Sequence, residues 1–129
     1  MSNKEQIIQS WILKAEHDLG TAKITYLHLP KYYDTIAFHC QQTVEKCIKA
    51  LLIQFDTTFI RTHDLVYLIS LLNENLVIEE SLIDKIIALN GFSVQIRYPN
   101  ELIELTKEEL EQAILAASEF YNLTIETIG

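Results

Sequence analysis

Apolar residues recur at three- and four-residue intervals along almost the whole chain, while strand-like alternation is scarce. Ile8, Trp11, Ile12, Ala15, Leu19, Ala22 and Tyr26 paint one stripe on a first helix expected over residues 5–28. Leu29-Pro30 ends it, because proline disfavours helical geometry in the residue before it and lacks a backbone donor. After a turn through Lys31 and Tyr32, a second helix over residues 33–55 buries Tyr33, Ile36, Ala37, Cys40, Val44, Cys47, Ile48, Leu51 and Phe55. A loop through Asp56-Thr57-Thr58 leads to a shorter third helix with Thr62 as N-cap and Asp64 in its first turn, where the helix dipole favours an anion. Leu65, Leu68, Ile69 and Leu72 form its stripe, and it should end near Asn75.

A fourth helix opens at Ser81 and carries Leu82, Ile83, Ile86 and Ile87. Asn90-Gly91 could stop it through a left-handed cap, but Ile83, Ile87, Asn90, Val94 and Arg97 keep helical spacing, which favours a helix kinked at Gly91 and stopped before Pro99. The last helix starts at the capping box Thr106-Lys107-Glu108-Glu109 and continues through Leu110, Ala113, Ile114, Ala117, Tyr121, Thr124, Ile125 and Ile128. Short connections and no internal repeat or long polar linker give one all-α domain over residues 1–129, an antiparallel four- to five-helix up-and-down bundle.

On a wheel of about 100° per residue, Phe38, Gln42, Glu45 and Lys49 form one narrow stripe of the second helix, flanked by Thr35, His39 and Lys46 and roughly opposite the apolar face. Either this is an ordinary wet face, with Glu45 and Lys49 as a favourable i,i+4 pair, or it is a binding surface. Phe38 speaks for the second: an aromatic ring beside amides and charges suits an interface hot spot or a stacking platform for a base.

Composition narrows the partners. With 49% hydrophobic and 22% charged residues, the 129-residue chain can build a core without disulfides or a structural metal. Cys40 and Cys47 stand seven residues apart on one expected helix, about 10 Å along its axis, too far for a disulfide within the chain. They are expected to be reduced core side chains of a cytoplasmic protein, and no apolar run approaches a membrane span. A formal net charge of −8, with ten basic residues, argues against nonspecific binding to nucleic acid. A local basic pocket, or one built by two subunits, stays open.

The motifs together resemble the HEPN domains (higher eukaryotes and prokaryotes nucleotide-binding). The likeness spans nearly the whole chain. It rests on Ala15-Glu16-His17-Asp18-Leu19 with Ala22, on Phe38-His39-Cys40-Gln41-Gln42-Thr43-Val44-Glu45-Lys46 with Lys49-Ala50-Leu51, on Thr62-His63-Asp64-Leu65, and on Arg97-Tyr98-Pro99. The resemblance implies an all-α fold of four or five helices, a homodimer, and action beside a minimal nucleotidyltransferase, often as a two-gene toxin–antitoxin module. Phe38, Gln42 and Glu45 are then candidates for the dimer or partner interface.

HEPN ribonucleases carry an arginine followed, after four to six residues, by a histidine. Arginine occurs here only at Arg61 and Arg97, and the histidines are His17, His28, His39 and His63. Arg97 has no histidine after it, and only Thr62 separates Arg61 from His63, so the motif is absent and the usual proton carrier is missing. No catalytic residue is therefore assigned. The matching polar residues suggest a nucleotide site instead: Lys46, Lys49 and Arg97 for a phosphate, His63 and Tyr98 for the rest of a nucleotide. Plainer roles compete, with His63-Asp64 as a helix start and Arg97-Tyr98-Pro99 as an Arg–carboxylate clasp in which Asp18 is the acid. The alternative function is a ribonuclease toxin with a departed motif, using Arg97 with His63 or His39.

Other chemistries find no foothold. No histidine has a glutamate three residues before it, as carboxylate-bridged metals in bundles require, and the cysteines lack metal-ligand spacing. With three glycines there is no glycine-rich phosphate loop, and no serine sits in a nucleophile elbow. Neither a metal nor a cofactor is called for.

Overall fold

The computed structural model describes residues 1–92 and 105–129, and among these described residues the chain forms five α-helices. They are α1 (Asn3–His28), α2 (Tyr33–Gln54), α3 (Leu65–Leu72), α4 (Glu80–Ile87) and α5 (Lys107–Ile128), with a short 3-10 turn at Asn90–Phe92. Among the described residues there is no strand, and no helix is long and apolar enough to cross a membrane.

The helix ends follow local chemistry. Ser2 accepts the Glu5 N–H at 3.1 Å and starts α1. Thr106 and Glu109 form the expected reciprocal capping box, each side chain bonding the other's backbone N–H at 3.1 Å. At the end of α2, the Thr57 N–H reaches the Leu52 carbonyl at 2.8 Å and the Asp56 N–H reaches Ile53 at 3.1 Å. That is a Schellman closure, and it puts Asp56 in the left-handed region at φ 54°.

α3 starts two residues later than expected. Its N-cap is Asp64, which accepts from Val66 and Tyr67, while Thr62 Oγ1 accepts the Asp64 N–H at 3.1 Å. It ends at Leu72, a turn before Asn75, where Asn73 closes it. α4 also stops earlier than its spacing suggested, at Ile87. Asn90 leaves the α-helical path to accept the Leu65 N–H at 2.7 Å and to donate to Asp64 at 3.1 Å. An outlying cap for α3 thus outcompetes continuation of α4. The rest of the expected kinked helix, residues 93–98, lies outside the described residues.

α2 is the axis of the molecule. It packs on α1, α3, α5 and the 3-10 turn. Alanines at 15, 22 and 37, all fully buried, let α1 and α2 approach closely, and Ile36, Cys40, Val44, Cys47, Ile48, Leu51 and Leu52 fill the core between them and the other helices. Cys40 and Cys47 are free and buried, and burial pushes each thiol up to about 12.

Candidate functional site

The central position of α2 corrects the expectation of a wet stripe opposite its apolar face. Glu45 is only 2% exposed and Lys49 only 6%, while Gln41 and Thr43 are fully buried. The wheel described α2 as a helix with one covered face. In the fold, α1 covers one flank, with Trp11 beneath Lys49, and the segment entering α3 covers the other, with His63 over Glu45.

Burying a carboxylate and an ammonium is costly unless each is paired, and here both are. Lys49 donates to Glu45 at 3.0 Å and lies 5.4 Å from the centre of the Trp11 ring. The other Glu45 oxygen lies 2.9 Å from His63 Nδ1 and takes the Gln41 amide at 3.2 Å. Gln41 also donates to the His63 carbonyl at 3.3 Å, so ring and backbone of His63 are held together. Gln42 donates to Gln41 at 2.7 Å and extends the seam toward the surface.

A second cluster stands on the same helix toward its start. Asp18 of α1 binds Lys46 Nζ with one oxygen and His39 Nδ1, at 2.8 Å, with the other. Burial pushes the Asp18 carboxyl up, but hydrogen bonds and charge from His39 and Lys46 together outweigh that and hold it below its ordinary 3.8. Phe38 is half-buried and meets the His39 ring edge-on, 5.2 Å between centres.

The two clusters share a design. A carboxylate can only accept, so in each the imidazole Nδ1 carries the proton and Nε2 is the remaining ring position. A lysine neutralises each carboxylate. The clusters differ in access: the His63 side chain is 67% exposed, whereas His39, Lys46 and Asp18 are largely covered.

The structure therefore brings Glu45, Lys49 and His63 together, and sends Lys46 elsewhere, to Asp18 and His39. Both lysines expected at a phosphate already face carboxylates. The partners described for Asp18 are His39 and Lys46; Arg97 and Tyr98 lie outside the described residues. Of the interface candidates, Phe38 and Gln42 are half-buried and reachable, while Glu45 is enclosed. His39 and Gln41 were missed as organising residues. The signal was present in Asp18, a carboxylate on the core-facing stripe of α1, which needs cationic partners from the helix opposite.

An all-helical fold built round one buried, charge-bearing helix defines the class of protein. Comparison with known proteins places it further: the HEPN domain model matches residues 8–128, and the chain belongs to the HEPN domain family. A protein of Methanocaldococcus jannaschii named "Putative toxin MJ1304" is 34% identical over 123 aligned positions, covering 81% of this chain and 76% of that one. The crystal structure of ST0689, described as an archaeal HEPN homologue, superposes with a TM-score of 0.70 at 25% identity, covering 95% of this chain and 98% of that one. TT1696 from Thermus thermophilus shares the fold, with a TM-score of 0.77 at 24% identity over 92% of this chain and 96% of its own.

Proposed function

We propose that this chain is a cytoplasmic, dimeric HEPN protein that serves as the accessory partner of a minimal nucleotidyltransferase, in a two-gene module of the toxin–antitoxin kind, and holds a nucleotide while doing so. The observation that carries the reading is the missing pair: no histidine follows Arg97, and Arg61 is only two residues from His63. Without the spaced arginine and histidine, the chain lacks the acid–base partnership that family ribonucleases use. The net charge of −8 supports the same reading, since a free-standing RNA cleaver benefits from a basic face. The relative named as a toxin supports the module.

In this reading the nucleotide contact falls to His63, Arg97 and Tyr98. Lys46 and Lys49 take a supporting part, neutralising the carboxylates that hold His39 and His63.

A ribonuclease toxin is the second reading, and one observation favours it. Glu45 holds His63 through Nδ1 at 2.9 Å and leaves Nε2 as the remaining ring nitrogen of a side chain that is 67% exposed, an arrangement that suits general acid–base work. Purified chain incubated with RNA separates the two. The accessory reading expects intact RNA, together with heat on titration with adenine or guanine nucleotides that His63→Ala and Arg97→Ala abolish. Cleavage that disappears in His63→Ala and Arg97→Ala overturns it in favour of the toxin.

A further inference from the structure

Gly20 occupies the middle of α1, where glycine is the least favourable residue after proline. Its own fold does not need it. A Cβ built there meets nothing within 4 Å, and Gly20 is exposed.

The surface around it is patterned. On a helix the neighbours of a position lie three, four and seven residues away, so Leu13, Glu16 and His17 flank Gly20 on one side and Lys23, Ile24 and Leu27 on the other. Leu13, Ile24 and Leu27 are 51%, 57% and 72% exposed. They do not belong to the core-facing stripe of α1, which Ile8, Ile12, Ala15, Leu19 and Ala22 supply. This helix thus has a second apolar face that the described residues leave uncovered.

We propose that this face pairs with the same face of a second copy, the two α1 helices running antiparallel about a two-fold axis at Gly20. Three features select that occupant. Leu13 and Leu27 each stand seven residues from Gly20, about 10 Å along the axis, so an antiparallel copy sets Leu13 of one against Leu27 of the other, twice. Glu16 lies one turn before Gly20 and Lys23 one turn after, and neither makes an ion pair among the described residues. Antiparallel pairing brings each Glu16 beside Lys23 of the second copy; a parallel pair would oppose like charges. The missing side chain at Gly20 lets the two backbones approach at the crossing. The inference rests on the dimeric reading of the chain and gives that dimer its face, moving it from α2 to α1.

Sedimentation of the purified full-length chain across a dilution series tests it. Wild type should associate reversibly as a dimer. Glu16→Lys and Lys23→Glu should each weaken association by about tenfold or more, because each puts like charges together at two symmetric places. An equimolar mixture of these two variants should recover a dimer: the two substituted positions then face each other with opposite charges, and the remaining pair is the native Glu16 against Lys23. Gly20→Gln should abolish the dimer while leaving the thermal midpoint of the dilute chain unchanged or higher, which separates an interface effect from misfolding. A dimer indifferent to all of these overturns the α1 face and leaves the dimeric reading standing. A chain that stays monomeric at every concentration overturns both.

Discussion

His63 Nδ1 lies 2.9 Å from an oxygen of Glu45, a carboxylate that is itself almost wholly enclosed and paired with Lys49 at 3.0 Å. An exposed imidazole is thereby tied to a buried ion pair in the central helix. Gln41, Glu45 and Lys49 of α2 are internal structure first, and His63 is the most exposed member of their network.

Removing one member of the pair should be far worse than removing both. Lys49→Met leaves the Glu45 carboxylate buried without its cation and should cost about 3–5 kcal/mol of unfolding free energy, whereas Lys49→Met with Glu45→Leu should recover most of that loss. His63→Ala, at an exposed side chain, should cost only about 1 kcal/mol or less. Urea unfolding of the three variants measures the contrast. Equal losses in single and double variants would contradict the pairing.

Asp18 should make the fold acid-sensitive. Its carboxyl is held below the ordinary value in the folded chain, so the unfolded state binds the proton more readily. The stabilisation is complete at pH values above the unfolded pKa and is lost as pH falls through the lower folded one, which places the loss below about pH 4. Thermal midpoints across the acid range should fall less steeply for Asp18→Asn than for wild type.

The cysteines should be silent until the chain unfolds. Cys40 and Cys47 are fully buried with thiols pushed up to about 12, so the thiolate that reacts with disulfide reagents is scarce and shielded. A colorimetric thiol titration should find almost no reaction in the native protein and two thiols in denaturant.

Much of this fold was legible because capping and periodicity agree. The capping box at Thr106 and Glu109 and the proline after Leu29 marked their helix ends, and the apolar stripe of α1 matches its buried face. Loss of the Thr106 hydroxyl in Thr106→Ala should accordingly cost about 1 kcal/mol, measurable by chemical denaturation.

The errors have a common cause: a helix wheel registers one apolar face and cannot see neighbours that arrive from elsewhere in the chain. Glu45 and Lys49 look like solvent residues until His63, eighteen positions further on than Glu45, and Trp11 close over them. Asn90 looked like part of a continuing α4 because its role, capping α3 at Leu65, spans 25 residues of sequence. Asp18 was visible as a polar residue on an apolar stripe, but which of the available cations it would meet was decided by the packing of α1 on α2.

The accessory-partner reading is tested most directly by gentle purification of the tagged chain from its own host, with mass spectrometry of whatever stays bound. We expect a small nucleotidyltransferase in stoichiometric amount. A chain that emerges alone, and cleaves RNA in the same preparation, would contradict the account.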